Sequence, residues 1–536
     1  MSNKRKVGTS NPYSFRHGFQ KAGSVETAVS SNLTRQKWIQ SSEVRAALEY
    51  LRSLESKSTG TRMFWRHKAD GEGRLQHLFW CDRGSRSNYK LFGDVVALDT
   101  TYAKSKYKYP LVVFSGVDNH IHTTIFASAI IADETEETYV WLFEQLKEAM
   151  EAKSPGLVIT NDDIALKNAM SRVFPNARHR LCAQQILRNA SSKVGDPMMT
   201  AALNKLMSSD CVASEFDGQW HEMVAEYGLE NHSWVRDMYE KRKMWATAYI
   251  RGTCFVGFKA TSQCEGLYVK FGRLARSSGN LVDVLQQFHL DCLDEFRYKE
   301  RNAEFKSVFG REPVLLTMVK SLERSASRVF TREVFKLFRH VLSRVGTMKV
   351  TYYCKEVLSG TSDIYKVSKY GQPDRMWYVD YYPPHYTPPT YQFVCDCKKM
   401  ENFGIPCEHI VHVMVYLGIA EMPTSLVLKR WAKLAQVVVK GTCDDDDISY
   451  LPEHFRDQID MLKDGNNVNF NNEDWNINLL VNSDEYGGCS LLEDDDEVSF
   501  SSRDWNVKLF SDSDDSDTNG SPSFKRRAQN NVDDKW

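Results

Sequence analysis

The alternation of apolar and polar residues divides the chain into stretches of different period. Residues 1–42 are polar and aperiodic and read as a flexible lead. From Ser42 to Ser56, Val44, Leu48 and Leu51 recur at helical spacing behind a capping serine, which predicts a helix. The runs MFWRH and RLQHLFW flank Ala69-Asp70-Gly71-Glu72-Gly73, the pattern of a hairpin. This helix and hairpin make residues 43–90 a unit expected to precede the core.

From Asp94 the pattern becomes α/β. DVVALD, PLVVFSGVD and TIFASAIIAD are three apolar, β-rich runs separated by polar turns. A helix is expected from Glu136 to Ala152, with Val140, Phe143, Leu146 and Met150 on one face. LVIT reads as a short buried strand, Ala165–Val173 as a helix and Arg178–Cys182 as a further strand. Three strands in meander, a helix, a strand and a helix is the order of a ribonuclease-H-like core, although periodicity alone admits other α/β folds. Residues 185–345 are mostly helical in pattern, so the core is assigned to 91–275 with a helical insertion, and 276–347 to a helical region. Within it Thr331–Val345 is amphipathic and ends at Gly346. Residues 348–394 turn to Tyr- and Val-rich strands. A short helix follows from Pro406 to Leu417, with Pro at its start and Gly418 after its end. Residues 348–440 thus read as a small α+β module, and 443–536 as an acidic, disordered tail.

Composition sharpens this division. Hydrophobic residues are 42% of the 536, enough for substantial cores. No run of 18 apolar residues occurs, so no membrane span is expected. The first residues, MSNKRKVGTS, lack the apolar stretch of a secretory signal. The cysteines, spread from Cys81 to Cys489, are therefore expected to be reduced thiols, some of them holding a metal. The formal charge of −1 hides an asymmetry. From Asp444 to Trp536 there are 24 acidic and 8 basic residues, a net of −16, which leaves +15 on the rest. A basic body points to nucleic acid, whereas the bland reading is a solvated surface with a solubilising tail. The tail holds an approximate repeat: Glu473-Asp474-Trp475-Asn476-Ile477-Asn478-Leu479-Leu480 resembles Arg503-Asp504-Trp505-Asn506-Val507-Lys508-Leu509-Phe510. Aromatic and aliphatic residues among acids have the composition of activation segments that engage a coactivator.

The sharpest chemical signal is Cys395-Asp396-Cys397 followed by Cys407-Glu408-His409. On a strand, residues i and i+2 share a face, so both first thiolates are expected to reach one ion. Cys407 and His409 would join them from the start of the short helix. Three thiolates and one imidazole complete a closed tetrahedral Zn²⁺ site, a structural role. His412, one turn beyond His409, is the alternative fourth ligand.

The C-x-C and C-x-H spacing resembles the SWIM zinc finger. Phe92-Gly93-Asp94-Val95-Val96, Leu98-Asp99-Thr100-Thr101-Tyr102, Ala132-Asp133-Glu134-Thr135-Glu136-Glu137, Val140-Trp141-Leu142-Phe143, Val173-Phe174-Pro175-Asn176 and Arg178-His179 resemble the Mutator-like transposase core of the plant far-red-impaired-response family. Leu428-Lys429-Arg430-Trp431 matches as well. The resemblance covers most of residues 45–440. It implies domesticated transposases that act in the nucleus as transcription regulators, bind DNA, pair with related chains and respond to far-red light. It also implies a DDE ancestry, in which three carboxylates hold two metal ions. Asp99, ending the first strand, matches the first acid and Glu265 the last. At the second position stands Asn161, which cannot supply the charge. Asp162 is the nearest substitute, but a one-residue shift turns a side chain to the other face.

Each acid also has a structural reading: Glu265 as part of a capping box with Ser262, Asp162 and Asp163 as helix-start residues, and Asp99 as a turn residue. No catalytic residue is therefore expected. Two further departures are Cys182-Ala183-Gln184-Gln185, where the family has Cys-x-x-His, and the lack of a Cys/His-rich DNA-reading module ahead of Cys81. The expected function is a nuclear transcription regulator. Its rivals are an adaptor that pairs with full-length relatives without binding DNA, and an active transposase using Asp99, Asp162 and Glu265.

Overall fold

The computed structural model describes residues 39, 41–57, 63–102, 109–209, 211–252, 280–355, 362–383, 392–433 and 435. The N-terminal lead to residue 38, Glu265 and the acidic tail, as read from the sequence, lie outside the described residues. No described helix is long and apolar enough to cross a membrane.

A seven-stranded mixed sheet organises the N-terminal half. Its strands are β1 (Phe64–Ala69), β2 (Leu75–Cys81), β3 (Val95–Tyr102), β4 (Pro110–Val117), β5 (Thr123–Ile131), β6 (Leu157–Thr160) and β7 (Arg178–Leu181), in the spatial order β1-β2-β5-β4-β3-β6-β7. β3, β4 and β5 form an antiparallel meander, and β6 and β7 add in parallel beside β3. The hairpin β1–β2 does not stand ahead of this sheet but extends it: His77 to Trp80 pair with Ile131 to Ser128. The reason is burial. Six of the seven β2 residues are buried, and buried backbone groups need hydrogen-bonded neighbours on both sides. β3 also runs past Asp99, because Thr100, Thr101 and Tyr102 continue pairing with Val112, Leu111 and Pro110. Asp99 is thus mid-strand, not the strand end or turn expected from the sequence.

Alternation along the strands defines two covered faces. Val96, Leu98, Phe114, Phe126 and Val158 pack under α2 (Arg83–Phe92), α3 (Glu136–Ala149) and α4 (Ile164–Val173). Helix α2 carries no apolar period, which is why the sequence did not announce it. Asp82 caps it by accepting from the Ser85 N–H at 2.8 Å. On the other face, Trp80, Val113 and Ile130 meet α1 (Ser41–Lys57) and α9 (Leu281–Gln287). Beyond β7, four helices, α5 (Ala183–Lys193), α6 (Pro197–Ser208), α7 (Ala213–Glu226) and α8 (Ser233–Glu240), gather around Phe216, Trp220 and Trp245.

A π-helical stretch, Phe288–Leu293, leads from α9 into α10 (Asp294–Phe309), followed by α11 (Lys320–Val329) and α12 (Arg332–Ser343). The chain then forms a four-stranded antiparallel sheet, ordered β11-β10-β9-β8, from β8 (Met348–Lys355), β9 (Asp363–Lys369), β10 (Gln372–Tyr381) and β11 (Phe393–Cys395). Two short helices, α13 (Lys399–Phe403) and α14 (Glu408–Tyr416), complete the module. Val95, Ala97, Leu157 and Ile159 share one continuous core with Phe330, Val334, Phe338, Cys395, Ile410 and Met414. The C-terminal module and the large sheet therefore cannot pack independently.

Arg430 ties the two. It pairs with Asp94, donates to the Val117 carbonyl at 2.6 Å and lies 5.7 Å from the Phe92 ring. Its side chain is 6% exposed, whereas that of Asp94 is 42% exposed. Losing the buried end leaves the Val117 carbonyl without its charged donor and removes packing. Arg430→Ala should therefore cost about 2–3 kcal/mol in urea denaturation, and Asp94→Asn less than about 1 kcal/mol. Equal losses for both variants would contradict this assignment of the energy to the carbonyl contact.

Candidate metal centre and the core acids

The structure brings Cys395, Cys397, Cys407 and His409 together: their ligand atoms all lie within 4.8 Å of one another, and all four residues are buried. Cys395 is the last residue of β11. Cys397 is not on the strand, so the expected i, i+2 strand geometry is corrected. The chain turns at Asp396, with the Lys398 N–H donating to the Cys395 carbonyl at 3.0 Å and Lys398 at φ 57°. A tight turn, not the pleat, sets the two thiols side by side. Cys407 is the N-cap of α14, and its Sγ accepts from the Ile410 N–H at 3.4 Å. That places His409 in the first turn, with Nδ1 3.5 Å from the Cys395 Sγ.

Several groups that the motif does not contain hold this arrangement. Trp377 of β10 stacks on the His409 ring at 4.1 Å between centroids. Asp396 accepts from the Tyr378 N–H at 3.1 Å, and Arg251, from the end of the helical insertion, donates to the Cys397 carbonyl at 3.0 Å. Glu408 binds Arg344 at 3.1 Å and Lys399 at 3.0 Å. These contacts span up to 146 residues of sequence, so ligand spacing gives no sign of them. His412 is turned away: its Nδ1 lies 3.3 Å from the Glu408 carbonyl, one turn back, and it is not in the cluster.

The thiols are not equivalent. Burial, and then the neighbouring thiols, push Cys395 well above the ordinary range. At Cys397 the hydrogen bond with Cys395 pulls down, but the one with Cys407 and burial together push up. Burial alone would raise Cys407 too, yet hydrogen bonds from Cys395 and Cys397 bring it down to about 5. Without a cation the buried thiols compete for protons, since each deprotonation opposes the next. A divalent ion would displace those protons and neutralise the thiolates, which is the chemistry of a closed Cys3His zinc site.

The core acids are arranged differently. Ala97 pairs with Ile159, and carrying that parallel register two residues on sets Asp99 level with Asn161. Asn161 follows β6, with its Oδ1 buried and unpartnered, beside a cleft of about 260 Å³ also lined by Asp162, Cys182 and Gln185. Asp162 is held by Lys241 at 2.6 Å, and Asp163 caps α4 by accepting from the Leu166 N–H at 2.8 Å. His179, buried at 2.7 Å from the Thr160 hydroxyl, has its pKa pushed down to about 4 by burial and is neutral. Continued in this register, an amide and not a second carboxylate would lie level with Asp99.

The structure is thus a mixed α/β core with a helical insertion, joined to a candidate metal-binding module. The family model of the MULE transposase domain matches residues 95–189. Protein FAR1-RELATED SEQUENCE 5 of Arabidopsis thaliana is 28% identical over 427 residues, 78% of this chain and 52% of that protein. Protein FAR-RED IMPAIRED RESPONSE 1 of the same plant is 26% identical over 449 residues, 82% of this chain and 52% of that protein. For Protein FAR1-RELATED SEQUENCE 4 the identity is 29% over 395 residues, 73% and 52% of the two chains. The chain thus carries a match to the MULE transposase domain and is similar over most of its length to the FAR1-related proteins, as its motifs indicated. It spans about half the length of the curated relatives it matches.

Gly404 connects the ligand module to the segment that follows it. It ends α13 at φ 74°, and a Cβ there would lie 2.1 Å from Leu428 Cδ1 and 2.8 Å from Trp431 Nε1. Gly404→Ala combines left-handed strain with overpacking and should cost about 2–4 kcal/mol, read as a lower urea midpoint. Gly418→Ala, also left-handed at φ 70° but with open space around it, should cost about 1 kcal/mol. Equal costs would show that packing against Leu428 contributes nothing.

Proposed function

We propose that this protein is a nuclear, transposase-derived transcription regulator whose ribonuclease-H-like core has lost phosphodiester chemistry and whose C-terminal module is a SWIM-type finger held by structural zinc. The observation that carries the reading is Asn161 level with Asp99. Two-metal catalysis needs carboxylates converging on both ions, and a neutral amide does not supply the charge. Asp162 is no substitute, since it is engaged by Lys241. The strand order β5-β4-β3-β6-β7, an antiparallel meander with two parallel additions, supports the ribonuclease-H-like assignment.

Regulation follows from the relatives and from charge. The body's net +15 suits it to DNA, and related chains are the natural partners for homo- or hetero-oligomers. A role in far-red light responses is the reading suggested by the name of one relative, Protein FAR-RED IMPAIRED RESPONSE 1. Purified full-length protein with Mg²⁺ or Mn²⁺ should neither nick nor join DNA ends. Cleavage abolished by Asp99→Ala would overturn the non-catalytic reading and restore the transposase alternative. DNA retained in a gel shift only when a related full-length chain is present would favour the adaptor reading.

In the zinc reading, Cys395, Cys397, Cys407 and His409 would hold the ion, and its role would be to fix the turn, strand end and helix start to one another. Elemental analysis should give about one zinc per chain. Cys397→Ser should lose it and make residues 348–433 accessible to protease, because binding and folding are coupled. Protein that contains no zinc yet keeps this region protected would sink the assignment.

A further inference from the structure

Helix α10 inverts the usual amphipathic order. Two of its acids face inward: Glu304 meets His120 Nε2 at 2.6 Å and Asn119 at 3.2 Å, and Glu300 accepts from Asn88 at 3.1 Å. Phe296 packs against the core, but the later aromatics face outward. Tyr298, Phe305 and Phe309 are exposed, the last two with ring centroids 5.3 Å apart. Directly after the helix, Val314, Leu316 and Met318 are exposed by 74%, 71% and 99%.

This apolar display is not a loose loop. The buried Glu323 carboxylate accepts from the Leu316 and Thr317 N–H groups at 3.2 and 2.8 Å and from Arg339 at 2.9 Å. Arg339 also donates to the Val314 carbonyl at 2.7 Å. A backbone fixed by a buried carboxylate, with alternate side chains turned to water, presents a prepared surface. Between residues 294 and 312 the exposed charges are Lys299, Arg301, Lys306 and Arg311 against Asp294 and Glu312.

We infer that the exposed face of residues 298–318 docks the tryptophan repeats of this chain's own acidic tail, centred on Trp475 and Trp505. Three observations select this occupant. Charge is complementary, a basic rim meeting a tail of net −16. The repeats alternate: Trp475, Ile477 and Leu479 are separated by asparagines, as Trp505, Val507 and Leu509 are by Asn506 and Lys508. In extended form each repeat offers one apolar face, matched to the alternating Val314, Leu316 and Met318. The chain also leaves the described structure beside this face. The Lys433 N–H donates to the Val329 carbonyl at 2.9 Å, at the end of α11, and the nearby Arg332 N–H donates to Ser307 Oγ of α10 at 3.2 Å. From Ala435 to Trp475 is 40 residues. Even as a compact coil that length spans on the order of 35 Å, more than the helix's roughly 24 Å.

A tethered repeat with a Kd on the order of 100 µM, at about millimolar effective concentration, is seated about nine-tenths of the time. Hydrogen–deuterium exchange on the full chain should therefore show the two repeats slowed about tenfold relative to a Trp475→Ala/Trp505→Ala variant. Phe305→Ser/Phe309→Ser should release the repeats to the same extent, with the circular dichroism melt unchanged because both rings are exposed. Lys299→Glu/Lys306→Glu should release them in part, with the difference shrinking as salt is raised. Protection independent of protein concentration supports the intramolecular contact. Protection that grows with concentration alongside a doubled mass in light scattering would assign the face to a second copy and overturn the proposal. Repeats that exchange equally in all variants, with Phe305→Ser/Phe309→Ser weakening the binding of duplex DNA, would make the face a nucleic-acid surface and overturn it as well.

Discussion

The fold of the C-terminal half depends on one small constraint: four ligand atoms within 4.8 Å, drawn from a strand end, a tight turn and a helix start. Each of these elements is too short to persist alone. β11 has three residues and α14 has nine, well under the length at which isolated helices form in water. Bringing three thiols and an imidazole into one buried volume is unfavourable without a cation, because desolvation opposes the charge that the cluster would otherwise carry. The surrounding contacts make sense on that basis. Trp377 fixes the imidazole plane, the Asp396 turn fixes the first two sulfurs, and Arg344 and Lys399 neutralise Glu408 at the mouth of the helix. Burial would push the Glu408 carboxyl up, but Lys399 and His409 hold it well below the ordinary range.

This local constraint reaches the large sheet because the two share a core. Val95, Ala97, Leu157 and Ile159 lie on the sheet face that receives α11, α12 and the ligand module. Asp99 follows them at the same strand parity. The face on which a transposase would assemble its metal site is thus also the face that the C-terminal module packs against, further along the strands. Arg430, with its carbonyl and aromatic contacts, closes the seam from the far side of the module. A change in the ligand cluster can therefore alter the sheet, and the two are better regarded as one packed body than as separable domains.

Much of this architecture was legible where burial is complete on both faces. β4 and β5 are buried along their whole lengths, so they read as continuous apolar runs that nothing but an interior strand explains. The four ligands were legible because thiol and imidazole at close spacing have few other uses. What failed to show depends on partners distant in sequence. The hairpin β1–β2 looks self-sufficient until β5 is found beside it. Helix α2 is polar except at Tyr89, Leu91 and Phe92 and owes its start to Asp82, which Arg297 in turn holds. The loss of Asp162 as a substitute acid rests on Lys241, 79 residues later. Cys397 was placed correctly for the wrong reason: i, i+2 proximity came from a turn with a left-handed residue, which sequence spacing cannot distinguish from a strand.

The same reasoning bears on why the chain tolerates Asn161. A cluster of carboxylates within β3 and just beyond β6 carries electrostatic strain that bound metal relieves, so acids kept without metal destabilise the fold. Replacing one carboxylate by an amide removes that repulsion while preserving shape, and engaging Asp162 with Lys241 removes another unpaired charge from the same rim. The acids and amide that line the cleft are then neutral or engaged: the Asn161 amide, Asp162 in its ion pair with Lys241, and Asp163 as a helix cap. A site of this kind gains stability from the lost repulsion at the expense of the charge that two-metal chemistry needs. Away from it, the most unusual surface of the fold is the exposed aromatic and basic face of α10, whose Glu300 and Glu304 are turned inward.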